Sequence, residues 1–133
     1  MKYKNLPDFN HGQTDKIGVL LTNLGTPAAP TRKALKPYLK EFLSDPRVVE
    51  IPRLIWWCVL NGIILPIRSG RSAKSYEEVW TSEGSPLLVN MEKLNDKVVN
   101  ELSENHDVIV DFAMRYGTPS IDEKIQQLVT RGA

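Results

Sequence analysis

Two short apolar runs restrict this chain more than any other feature. Residues 17–21 lie in KIGVLLTNLGTP, and residues 108–114 read VIVDFAM. The first run, without alternation, predicts a strand buried on both faces, as in a parallel sheet, and the second reads as another strand. Asn23 and Gly25 turn the chain at the end of the first run, and Tyr116-Gly117-Thr118-Pro119 leaves the second. Helical patterns fill the space between, and one more follows. The order β, helices, β, α predicts an α/β fold, a parallel sheet with flanking helices and right-handed crossovers. Only two strands are legible, and a two-stranded parallel sheet is unusually small. The chain stops where a third strand would begin, so it reads as the opening portion of a larger protein.

The first helical pattern is Leu35, Tyr38, Leu39, Phe42 and Leu43, with Thr31 as N-cap. Pro37 predicts a kink or a fresh helix start within it. Ser44-Asp45-Pro46 ends it. Between Arg53 and Arg68 there is no charged residue. The apolar residues there are too many for one buried stripe, and Asn61-Gly62 interrupts them. In a small domain this predicts a partly exposed apolar lip over about 48–67 rather than a helix buried all round. Residues 72–80 read as a short helix. Ser85-Pro86 then opens a long helix, with Ser85 as N-cap and a stripe of Leu87, Leu88, Met91, Leu94, Val98 and Leu102. Ser120 and Glu123 form a capping box for a last helix that buries Ile121, Ile125, Leu128 and Val129, and Arg131-Gly132 stops it.

The net charge is +1, from 17 basic and 16 acidic residues, which argues against a nucleic-acid binder. The charge is uneven: residues 1–81 carry a balance of +5 and residues 82–133 a balance of −4. Such asymmetry marks either a face for anionic ligands or simply a dipolar, solvated surface. The single Cys58 excludes an internal disulfide framework and reads as a small hydrophobe within the lip. Residues 1–15 read as a flexible arm without a secretory signal, and no run is long enough to span a membrane. These features predict a cytoplasmic protein.

Chemistry is sparse at the level of motifs. The glycine spacings of nucleotide-binding loops are absent around NLGTP. His11 and His106 have no partner at metal-ligand spacing and read as surface residues. Asp111 is either a catalytic acid or, more plainly, a strand residue bonded to local backbone or an Arg. Leu24 stands where open α/β sheets place ligands, as core or as pocket floor. Arg68, Arg71 and Lys74 follow directly on the lip. Apolar surface beside cations suits a flat hydrophobic ligand with carboxylates at its edge; the plain alternative is a solvated basic turn.

The blocks IGVLLTNLGTP, YLKEFLSDPRVVEIPRLIWW, ILPIRSGRSAKSYEEVW, EGSPLLV and MRYGTPSI resemble, in order and spacing, the start of bacterial ferrochelatases. The likeness covers about residues 16–125. It implies a lyase of heme biosynthesis that inserts ferrous iron, as substrate, into protoporphyrin IX, with no tightly bound cofactor and no resident metal. It implies a partial N-terminal chelatase domain over 16–133, with the second domain absent and the porphyrin lying between two such domains. It implies a porphyrin pocket drawing on Leu24, Val48, Trp56, Trp57, Arg68, Tyr76, Ser85, Arg115 and Tyr116. The 48–67 lip overhangs the porphyrin and in some members touches membrane, which would set the protein at the inner face of the bilayer. The family's catalytic His and its accompanying Glu lie in a later segment, so the resemblance implies that this stretch is inactive alone. A stand-alone porphyrin or heme module, a membrane-surface module using Trp56 and Trp57, and a cobalt or nickel chelatase are the competing readings. In such folds strand one lies between strands two and three, so an open strand-one edge predicts self-association.

Overall fold

The computed structural model describes residues 16–102, 104 and 107–133. The arm at 1–15, His11 and His106 lie outside the described residues. Strand β1 (Ile17–Gly25) pairs in parallel with β2 (Val108–Tyr116), in register from Ile17 opposite Val108 to Gly25 opposite Tyr116. Between them come α1 (Arg32–Ser44), α2 (Arg53–Val59), a π-helical turn (Leu60–Ile64), α3 (Leu65–Val79) and α4 (Pro86–Glu101); α5 (Ile121–Thr130) follows β2. The parallel α/β architecture is the one the two apolar runs predict.

The helices divide the work of burial. Helices α4 and α5 pack on the sheet, mainly on β2, while α1 packs on α3 and the π turn. A buried cluster joins Leu35, Tyr38, Leu39 and Leu43 of α1 to Leu60, Leu65 and Tyr116. Four of the five α1 residues that set its helical period are therefore buried; Phe42 packs against the same cluster while keeping partial exposure. Thr31 caps the helix, its side-chain oxygen accepting from the Ala34 N–H at 3.3 Å. Ser120 does the same for α5 toward the Glu123 N–H, also at 3.3 Å. Gly132, at φ 100°, ends α5 as a left-handed residue.

Several expectations are corrected. Strand β1 is not buried on both faces: it is half-buried at best until Gly25, because α4 and α5 cover β2 more fully. Helix α1 runs through Pro37 without a fresh start. Pro37 and Lys33 are both exposed, so the Lys33 carbonyl that loses its donor is on the water side. Asn61-Gly62 does not break the helix; it is taken up in the π turn, so α3 begins at Leu65 rather than near residue 72. Ser85 stands at the N-cap position of α4, but its side chain makes no cap bond. On α4 it is Val89 and Met91 that are buried, whereas Leu94 is exposed, and on α5 Ile125 is exposed.

Asp111 lies mid-strand, opposite Leu20, and is buried. Its carboxylate meets Lys124 at 3.0 Å and Arg131 at 3.5 Å and accepts the Phe112 N–H at 2.8 Å. The structural reading of this residue therefore holds: it ties α5 to β2, and its bonding capacity is absorbed there.

Candidate functional site

Both strands end on the same edge of the sheet, at Gly25 and Tyr116, where parallel α/β folds present ligands. The backbone there is closely fitted. Gly25 has φ 113°, and a β-carbon on it would fall 1.9 Å from the Tyr116 carbonyl oxygen. The Tyr38 hydroxyl donates to the Gly25 carbonyl at 3.2 Å. Burial, with Tyr76 beside it, pushes the Tyr38 phenol above the usual tyrosine range, so it stays a neutral donor. Next to this turn, Thr26 and Ser85 share a buried hydroxyl–hydroxyl bond of 2.7 Å. Ser85 is withdrawn from capping because its oxygen serves that bond.

Asp45, the C-cap of α1, faces this edge. Its Oδ1 accepts the Arg47 N–H at 2.8 Å, the turn that Asp-Pro-Arg sequences favour. Its Oδ2 accepts from Arg115 at 2.8 Å and from the Tyr116 hydroxyl at 3.0 Å. The Arg47 N–H and then the Arg115 guanidinium hold the Asp45 carboxyl down to about 2 from an ordinary 3.8. Arg115 is raised in turn, chiefly by its bond to Asp45. Glu41 accepts the Gly117 N–H at 3.0 Å. Phe42 meets the Tyr116 ring edge-on at 5.1 Å. Beside them is an open cleft of about 570 Å³, bounded by Glu41, Ser44, Asp45, Pro46, Arg47, Arg115 and Tyr116.

A second hollow of about 330 Å³ adjoins it, sharing Ser44 and Pro46. Its walls are Val49, Ile51, Leu54, Trp56, Trp57 and Leu60, with Arg53 at the side. The Trp56 indole N–H donates to the Leu43 carbonyl at 2.6 Å, which pins this ring to α1. Trp57 is 61% exposed and Leu54 79% exposed, and Ile55, Ile63 and Ile67 are also open to solvent. An apolar hollow therefore stands beside a polar cleft that carries two guanidinium groups.

Among the residues expected at the site, Arg115 and Tyr116 line the first hollow and Trp56 and Trp57 the second. Val48, in the connection between α1 and α2, is exposed close to both in sequence but lines neither. Leu24 is half-exposed at the end of β1, next to the Thr26–Ser85 bond. Tyr76 packs partly buried against the core, edge-on to Trp80 at 6.4 Å. Arg68 is exposed on α3, with Arg71 and Lys74. Leu24, Arg68, Tyr76 and Ser85 line neither hollow. Asp45, Arg47 and Glu41 are the polar residues that sequence reading passed over, since Ser44-Asp45-Pro46 registers only as a helix end. Among the described residues, no group of three His, Cys, Asp or Glu side chains is placed to hold a metal ion. No described helix is long and apolar enough to cross a membrane.

The Asp45 contacts set a pH dependence. A carboxyl lowered on folding contributes stability that is complete above about pH 4 and is lost as pH falls through about 2. Denaturant midpoints of the wild-type chain and Asp45→Asn should therefore differ at neutral pH and converge across that acid window. A gap that stays constant down to pH 2 would show that the carboxylate charge plays no part.

Parallel strands with helices on the sheet, and a polar hollow at the strands' carboxyl ends with an apolar one beside it, define an α/β unit with a candidate site at one edge of its sheet. The family model for ferrochelatase matches residues 16–133. The ferrochelatase of Idiomarina loihiensis is 56% identical over 134 residues, covering 99% of this chain, and that of Thioalkalivibrio sulfidiphilus is 56% identical over 135 residues, covering 100%. The ferrochelatase of Nitrosomonas europaea is 54% identical over 128 residues, covering 95%. The chain belongs to the ferrochelatase family. It spans 37% of the length of the first two of these relatives and 35% of the third.

Proposed function

We propose that this chain forms one wall of the porphyrin cleft of a ferrochelatase, the enzyme that inserts ferrous iron into protoporphyrin IX. The observation that carries the reading is the family match over residues 16–133, combined with an apolar hollow beside a polar cleft lined by Arg47 and Arg115. A porphyrin is flat and apolar with two carboxylates at one edge, and these two surfaces suit its two parts. In this reading Leu24, Val48, Trp56, Trp57, Arg68, Tyr76, Ser85, Arg115 and Tyr116 belong to the porphyrin pocket, and 48–67 is its lip. The exposed apolar side chains of the lip rest against a bilayer at its cytoplasmic face.

Metal entry requires two pyrrole protons to leave, so a base must stand within hydrogen-bond reach of the ring. Bending the ring toward the metal requires walls on both sides. The chain corresponds to little more than a third of its relatives' length, and we assign it a wall and not the base. The 133-residue chain alone should then show no iron insertion above background. It should still bind protoporphyrin IX weakly, at tens of micromolar as an order of magnitude, since one wall covers only part of the ligand. Quenching of tryptophan fluorescence during a porphyrin titration measures this. Turnover that Arg68→Ala abolishes would overturn the division of labour, and submicromolar one-to-one binding would instead favour a self-contained porphyrin module.

A further inference from the structure

The polar cleft is organised around one carboxylate. Arg115 and Tyr116 come from β2 and Asp45 from the end of α1, seventy residues away. Both side chains donate to the same oxygen, Oδ2, while Oδ1 is held by the Arg47 N–H. The carboxylate is thus fixed on one side by backbone and fixes two side chains on the other. The Asp45 side chain is only 11% exposed, whereas that of Arg115 is 42% exposed. A guanidinium carries five N–H donors, and the bond to Asp45 occupies part of that set. The guanidinium also lies 5.7 Å from the Tyr116 ring centroid, and its exposed part faces water on a group whose position is already set. Glu41, the other acid of the cleft, is tied to the Gly117 N–H.

We propose that Asp45 is the positioning residue of this cleft: it locks the Arg115 guanidinium and the Tyr116 hydroxyl in one arrangement, so that Arg115 offers its remaining N–H groups to a carboxylate of a ligand seated in the apolar hollow. The ligand class, a flat apolar molecule bearing carboxylates, rests on the reading under Proposed function. The locking rests on the hydrogen-bond geometry alone. Pre-orienting a long cationic side chain removes the entropy cost of ordering it on binding, which is where an indirect residue gains its effect. Asparagine at this position is nearly isosteric but carries no charge and only one accepting oxygen, so the Arg47 N–H, Arg115 and the Tyr116 hydroxyl compete for it.

Two measurements on the 133-residue chain test this. Nitrogen relaxation of the Arg115 Nε should report a rigid group in the wild type, with an order parameter of about 0.8, as for ordered backbone, and a mobile one in Asp45→Asn. In fluorescence titrations the wild type should bind protoporphyrin IX more tightly than its dimethyl ester. Asp45→Asn should lose roughly tenfold in affinity for the dicarboxylate, the scale of one charge-assisted hydrogen bond, and little for the ester. A purely structural role would weaken both porphyrins alike, and that result overturns the proposal. So does a mobile Arg115 in the wild type, which requires no variant to fold. A wild-type chain that binds neither porphyrin refutes the porphyrin reading, and the Arg115 relaxation then decides the locking by itself.

Discussion

Gly25→Ala is expected to unfold most of the protein. The new methyl carbon would lie 1.9 Å from the Tyr116 carbonyl oxygen, inside a backbone-to-backbone contact that has no flexible side chain to yield. The φ of 113° also lies where an L-residue is strained. Relief would require β1 and β2 to part at the end where the Tyr38 bond and the candidate cleft converge. A cost on the order of 4 kcal/mol or more follows from overpacking plus strain. That approaches the whole stability of many domains. Gly62→Ala is the matched control. Its added carbon meets nothing within 4 Å, and the residue is helical. It should be neutral or stabilising by about 0.5–1 kcal/mol. Thermal melts of the two variants read the contrast directly, and equal melting temperatures would contradict the packing argument.

The second large effect concerns assembly. Among the described residues β1 pairs with β2 alone. The Ile17 N–H points to the β2 side, where it donates to Asp107. Strand alternation then sends the N–H groups of Gly18, Leu20, Thr22 and Leu24 to the other side. Leu24 satisfies its own with the Asn23 side chain at 2.7 Å, and a β-carbon on Gly18 would touch Ala133. The open stretch is therefore centred on Leu20 and Thr22. We expect the purified chain to self-associate at tens of micromolar protein, as an order of magnitude, through antiparallel pairing of two such edges about a two-fold axis. Thr22→Pro removes a donor from that edge without touching the β2 ladder and should yield monomers. Leu54→Asp tests the rival seam, the exposed lip. Light scattering that finds strict monomers in the wild type would exclude both modes. Dimers that survive Thr22→Pro but not Leu54→Asp would assign the seam to the lip.

How far the sequence reveals this molecule depends on the range of the forces involved. The caps at Thr31 and Ser120, the α1 period and the glycine stop of α5 are set by neighbours within one or two turns, and these read correctly. The parallel pairing follows from two matching apolar runs and the helices between them. Errors arise where a distant partner outvotes a local signal. Ser85 has the right neighbour for a cap, but Thr26 takes its oxygen. Leu94 keeps helical period but stays half-exposed, while Val89 is buried. Asn61-Gly62 looks like a break, yet the chain stays helical through it. The Asp45 cluster is the sharpest case. Each member looks ordinary in its own segment, and only the fold brings a helix end against a strand end.

The π turn gives the lip a joint of adjustable length. In an ordinary helix two residues five apart point in quite different directions. Here Leu60 and Leu65 are both 1% exposed, because the Leu65 N–H reaches back five residues to the Leu60 carbonyl. The turn absorbs one residue that a regular helix would not need. Loss of a residue at Gly62, whose surroundings are open, would convert the five-residue spacing to four and leave both leucines facing the core. The helices on either side would keep their rotational phase, and the hollow lined by Trp56 and Trp57 would keep its outline. A change of one residue in the length of the lip would thereby be accommodated at one point, without turning the apolar surface away from the cleft.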